Sequence, residues 1–127
     1  MNIPAAERLH LSEDGAGVRI PLEQNRNDKG SLFAGSIFAG AILAGYRAAE
    51  RCFAERGLRG ELVAKTASIS YIKRLVSDGR AEVVFCNEPI CKPNGNHSLT
   101  VTVSVADAEH VRGADVTAEF VLLKMKK

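Results

Sequence analysis

The chain has 127 residues, 46% hydrophobic and 25% charged, an ordinary globular balance that suits one domain over 1–127. A net charge of +2, no Trp and only a short terminal cluster at Lys124, Lys126 and Lys127 argue against a nucleic-acid partner, which needs a basic stripe interleaved with aromatics. Cys52, Cys86 and Cys91 form no Cys-x-x-Cys and His10, His97 and His110 add no metal spacing, so reduced thiols in a cytoplasmic protein with neither metal nor cofactor are expected.

Met1 to Leu11 carries Glu7 and Arg8 where a secretory signal needs an apolar run. Gly17 to Gln24 reads as a short strand, with Val18, Ile20 and Leu22 alternating against polar neighbours. The polar run Asn25-Arg26-Asn27-Asp28-Lys29-Gly30 is a loop of residues that tolerate positive φ and local side-chain bonds. Ser31 is placed to cap a helix that continues to about Arg56 and stops at Gly57. The first half of this helix is apolar almost all round, which requires cover on most sides. The uncharged part, Gly30 to Tyr46, is short against the roughly 20 residues of a membrane span and is broken by glycines, so it reads as a buried helix. Its glycines and alanines lower helix propensity, and their use is close approach to a sheet or partner.

Four strands follow: Leu62 to Ile72, Arg80 to Cys86, His97 to Ala106 and Ala114 to Leu122. Ala81, Val83 and Phe85 share one face of the second. Leu99, Val101, Val103 and Val105 share one face of the third, against Thr100, Thr102 and Ser104. Such alternation marks an antiparallel sheet with one buried and one wetter face. Ser77-Asp78-Gly79, Pro93-Asn94-Gly95-Asn96 and Arg112-Gly113 supply the turns. The expected architecture is α+β, one long central helix wrapped by a five- to six-stranded antiparallel sheet. One sheet of this size cannot hide a helix apolar on all sides, so association as a twofold dimer is expected.

Strand, long Gly/Ala-rich helix, four strands is the order of the hotdog fold. The segment Asn27-Asp28-Lys29-Gly30-Ser31-Leu32-Phe33-Ala34-Gly35-Ser36 resembles the helix entry of the YiiD C-terminal-type thioesterase family, and Ser68-Ile69-Ser70-Tyr71 resembles that family's strand after the helix. The likeness extends from about Val18 to Lys124. More distantly the segment is similar to phenylacetyl-CoA thioesterase-like hotdogs, with Asn27, Gly30 and Gly35 matching their pattern. Phe33 stands where those enzymes carry a His and Ile42 where they carry a helix carboxylate, and no Asp or Glu lies between Asp28 and Glu50.

The resemblance implies a cytoplasmic homodimer, or a tetramer built from two, that hydrolyses an acyl thioester of CoA or a carrier protein, without nucleic acid or membrane. It implies that the Ala34 N–H, with Gly35, faces the thioester carbonyl from the helix start, where free amides and the dipole favour a developing anion. Small residues there serve equally for tight packing. Asn27 is implied as a partner for water or the thioester oxygen, though a loop-shaping role is the other reading. Lys29, Phe33, Ser36, Ser68 and Tyr71 are implied for substrate binding, with Lys73 and Arg74 joining Lys29 against CoA phosphates. Phe33, Phe38 and Tyr46 line an acyl tunnel or simply fill the core. The missing carboxylate favours an alternative, a non-catalytic acyl-CoA or acyl-carrier binding module. A dehydratase ranks last, because no His lies near the helix entry.

Overall fold

The computed structural model describes residues 3–125. Met1, Asn2, Lys126 and Lys127, which include two lysines of the terminal cluster, lie outside the described residues. The order is α1 (Pro4–Arg8), β1 (Ser12–Asp14), β2 (Gly17–Ile20), α2 (Ala34–Glu55), β3 (Gly60–Tyr71), β4 (Gly79–Cys86), β5 (Ile90–Cys91), β6 (His97–Ala106) and β7 (Arg112–Lys124). All strand pairs are antiparallel, in the order β1-β2-β4-β6-β7-β3, with β5 on the end of β6. The sheet therefore has seven strands rather than five or six. The additions, β1 and β5, are three and two residues long, too short to show a period. The short helix α1 also escapes a pattern search.

β6 and β7 carry the core. Leu99, Val101, Val103 and Val105 face Ala114, Val116, Ala118 and Phe120 across the ladder, all at most 2% exposed. Each large side chain so buried contributes about 1.5–3 kcal/mol. On the other face Thr102 and Thr117 meet with hydroxyls 3.4 Å apart. β2 is shorter than expected. Pro21 follows Ile20 and has no N–H for the ladder, and the Leu22 N–H donates to Asp78 Oδ1 instead.

In β4 the expected shared face of Ala81, Val83 and Phe85 is wrong at its last member. A bulge between Val83 and Phe85 reverses the alternation, so Phe85 points outward, 61% exposed, and Cys86 lies opposite the buried Val101. An inserted residue sends every later side chain to the other face.

α2 runs 22 residues across the sheet. Its small residues are where the sheet comes closest. A Cβ on Gly40 would meet Ile20 Cδ1 at 2.4 Å, and one on Gly45 would meet Phe120 Cε2 at 3.1 Å. Tyr46 packs edge-on against Phe120. On the far side α1 gives partial cover, and an apolar groove of about 310 Å³ remains between Ala6 and Leu9 on one wall and Phe38, Ala39 and Ile42 on the other. The expectation of an enclosed first half thus holds on the sheet side only. Among the described residues no helix is long and apolar enough to cross a membrane.

The other feature that positions the site is an open edge. β3 pairs with β7 along its length and has no neighbour on its other side among the described residues.

Candidate active site

The loop before α2 is organised around Asn27. Its Oδ1 accepts the N–H groups of Lys29 (2.9 Å) and Ser31 (3.0 Å), and its Nδ2 donates to Ser31 Oγ at 2.9 Å. The Asn27 N–H donates to the Ser31 carbonyl at 2.8 Å, which closes the loop on itself. Gly30 turns the chain with φ of +79°, a left-handed conformation that glycine takes without cost. Ser31 is therefore not the helix cap, because its hydroxyl is spent on Asn27.

The next two residues are held extended from outside. Leu32 N–H donates to the Leu75 carbonyl (2.9 Å) and Phe33 N–H to the Asn25 carbonyl (2.8 Å). The helix can begin only after these bonds, so Phe33 is its cap residue, with φ −65° and ψ 134° and no side-chain cap. Asn25 is buried. Its Nδ2 donates to the Leu9 and Pro21 carbonyls, while its buried Oδ1 has no partner among the described residues. Sequence reasoning missed this anchor. Its only signal was a second Asn in a polar loop, and its partners lie elsewhere in the chain.

At the start of α2 the first local bonds come from Ser36 N–H (3.0 Å) and Ile37 N–H (3.1 Å), both to the Phe33 carbonyl. The N–H groups of Ala34 and Gly35 precede them and have no acceptor among the described residues. Helix starts carry such orphan donors together with the positive end of the dipole. The Tyr71 hydroxyl donates to the Ala34 carbonyl at 2.8 Å and pins this turn to the end of β3. Burial pushes the Tyr71 phenol above its usual value, so it stays a donor.

A cleft of about 340 Å³ opens here, lined by Asn27, Ala34, Ile37, Tyr71, Lys73 and Arg74 among others. None of its lining residues is Asp, Glu or His. Asn27, Ala34 and Tyr71 are thus brought together, with Lys73 and Arg74 beside them. Gly35 follows Ala34, and the Phe33 ring lies over it so closely that a Cβ there would stand 2.7 Å from Phe33 Cε2. Phe33 itself is 54% exposed and does not line the cleft. Lys29 is exposed and near Asp28, Nζ to Oδ1 3.7 Å. Ser36 is buried one turn inside. Ser68 is not brought to the cleft. It pairs with Thr117, on the sheet face away from α2, whereas its neighbours Ala67 and Ile69 pair with the buried Ala118 and Val116. A larger cleft, about 950 Å³, lies at the opposite end of α2, between Phe53, Leu58 and the ends of β3 and β7, remote from these amides.

Residues 6–124 match the family described as "Putative thioesterase (yiiD_Cterm)". The chain belongs to this family. The fold is shared with solved hotdog thioesterase structures. One, from Shewanella oneidensis and described as a "putative thioesterase", is 20% identical with a TM-score of 0.82, covering 97% of this chain and 90% of that one. A Bacillus halodurans protein solved with CoA is 18% identical, TM-score 0.72, covering 97% and 78%. The Escherichia coli PaaI protein from the phenylacetic acid degradation operon is 15% identical, TM-score 0.65, covering 97% and 86%. No curated protein matches the chain in sequence. In this YiiD C-terminal-type member the Asn-x-x-Gly segment that carries the resemblance is the loop that sets where α2 begins.

Proposed function

We propose that the chain is a thioester hydrolase acting on acyl groups carried by CoA or a carrier protein. The observation that carries this reading is the pair of unpartnered amides, Ala34 and Gly35, at the start of a 22-residue helix beside a polar cleft. A thioester carbonyl received there gains donors aimed where negative charge develops when water adds to its carbon. Collapse of that intermediate breaks the C–S bond, and the departing thiolate takes up a proton. Lys73 and Arg74 supply positive charge on the same wall, suited to the phosphates of CoA. The CoA in the Bacillus halodurans relative supports that ligand class. Asn27 has one Nδ2 hydrogen beyond its bond to Ser31 and serves to orient water or the carbonyl, not to take a proton.

A second reading has its own support. The cleft contains no carboxylate or imidazole, so water lacks a strong activator within one protomer, and a binding module for acyl-CoA needs none.

We also propose a homodimer. A twelve-residue edge strand, exposed over most of its length, invites pairing, and a second β3 is the partner of matching length and pattern.

Thiol release from a panel of acyl-CoAs, run beside CoA-binding titrations, separates the two readings. Hydrolysis of any chain length supports the enzyme. Tight binding with no thiol release across the panel establishes the binding module. Sedimentation at micromolar concentration tests the dimer, and a monomer would refute it.

A further inference from the structure

We propose that Cys52 and Cys86 are a thiol–disulfide modification site, a pair that closes reversibly into a cross-link between the C-terminal turns of α2 and the end of β4. The β4 bulge creates the pair. Without it Cys86 would point to the outer face. With it Cys86 lies opposite the buried Val101, on the strand face that carries the core, while remaining exposed at the strand end. Cys52, half-buried, packs from α2 against the edge of the core. Cys52 stands close enough to act on the Cys86 thiol, and both thiols are free.

Arg56, one turn beyond Cys52, binds both sides of the junction. Its Nη1 donates to Cys52 Sγ at 3.0 Å, and its Nη2 donates to Glu88 Oε2 at 2.8 Å, two residues after Cys86. This clamp holds the strand end near the helix, and a guanidinium beside a sulfur stabilises the anion formed in exchange. Burial, with Cys52 beside it, pushes the Cys86 thiol above its usual value. Arg56 touches the Cys52 sulfur, which makes Cys52 the first nucleophile and Cys86 the resolving partner. Cys91 lies on β5 opposite His97, exposed, and is not part of the pair.

The oxidant is a low-molecular-weight disulfide such as glutathione disulfide. Cys52 loses its proton and attacks one sulfur of it, giving a mixed disulfide and expelling one glutathione thiolate, which takes up a proton. Cys86 then loses its proton and attacks the Cys52 sulfur, and the second glutathione leaves in the same way. Two protein thiols are oxidised while one glutathione disulfide is reduced to two thiols. The new bond closes the chain between residues 52 and 86, a loop that contains all of β3. Loops of this length are those in which a cross-link restricts the unfolded chain strongly.

The test uses Cys91→Ser, because no tryptic site separates Cys86 from Cys91. This variant is equilibrated in glutathione buffers of increasing oxidation and examined by intact mass, peptide mapping and thermal melting. Expected are a mass loss of two hydrogens, a Cys52–Cys86 linked peptide, and a rise in melting temperature that dithiothreitol reverses. Adding Cys86→Ser, at an exposed position, should abolish the link and leave one glutathione on Cys52. Two separate glutathione adducts in the Cys91→Ser protein, links between molecules, or no reaction in a folded protein would overturn the proposal.

Discussion

Ala34→Pro isolates the proposed oxyanion donor with little other disturbance. Ala34 is the first residue of α2, where proline is well tolerated because the missing N–H has no helical partner. Its helical φ of about −63° is close to the roughly −65° of proline. The residue before it, Phe33, already has φ −65° and ψ 134°, the extended geometry that a following proline demands. The Ala34 carbonyl still receives the Tyr71 hydroxyl. No hydrogen bond of the fold is lost, and the restricted unfolded chain contributes about 0.4–1 kcal/mol in favour of folding. Loss of one oxyanion donor, by contrast, costs about 2.7–4 kcal/mol in the transition state, a fall in kcat of about 10²–10³. Thiol-release kinetics on the best acyl-CoA measure the second effect and thermal melting the first. An unchanged kcat in a folded Ala34→Pro protein would refute the Ala34 amide as the donor. A melting temperature that drops sharply would refute the premise that this amide is free.

Asn27→Ala removes the acceptor of two backbone bonds and should cost about 1–3 kcal/mol by denaturant titration, whereas Asn27→Asp keeps the Oδ1 acceptor and should cost less. Equal losses would show that Nδ2 holds the loop. Tyr71→Phe removes the bond to the Ala34 carbonyl and should lower kcat/KM while costing only about 0.5–1.5 kcal/mol of stability; unchanged kinetics would make that bond irrelevant to the site. Gly40→Ala gains about 1 kcal/mol of helix propensity but forces a Cβ against the fully buried Ile20, an overpacking cost of about 1–3 kcal/mol. It should melt below both wild type and Gly45→Ala, whose nearest contact is looser. Asp78 accepts the Leu22 N–H and an Arg19 guanidinium bond, which hold its carboxyl below the ordinary 3.8. Because its folded value is depressed, its contribution is present above the ordinary value and lost as pH falls through the lower folded one. Screening at this exposed pair keeps that to about 0–1 kcal/mol. Asp78→Asn should therefore melt lower than wild type at neutral pH, and the gap should close in strong acid.

The alternations of β6 and β7, and the small residues of α2, were legible in the sequence because burial on one face imposes a period along an unbroken ladder. The same logic failed at Phe85 and Cys86. A bulge depends on how β4 meets β6, and no residue in β4 announces it. The loop motif was legible as a resemblance, but its working was not. Ser31 has the chemistry of a helix cap and is used otherwise, because Asn27 claims its hydroxyl while Leu75 and Asn25 keep Leu32 and Phe33 extended. Ser68 sits on a matching motif but on the opposite face of β3 from Tyr71's environment, since neighbouring strand residues face opposite ways.

The sequence by itself thus determined the order of the long helix and the main strands and the core faces of β6 and β7, because these follow from local propensity and periodicity, while the family showed only as the resemblance of one loop motif. Only the tertiary structure decided where α2 begins, which amides it leaves unpartnered, and which cysteines meet. Those outcomes depend on hydrogen bonds and strand registers between segments far apart in the chain, and neither leaves a periodic trace.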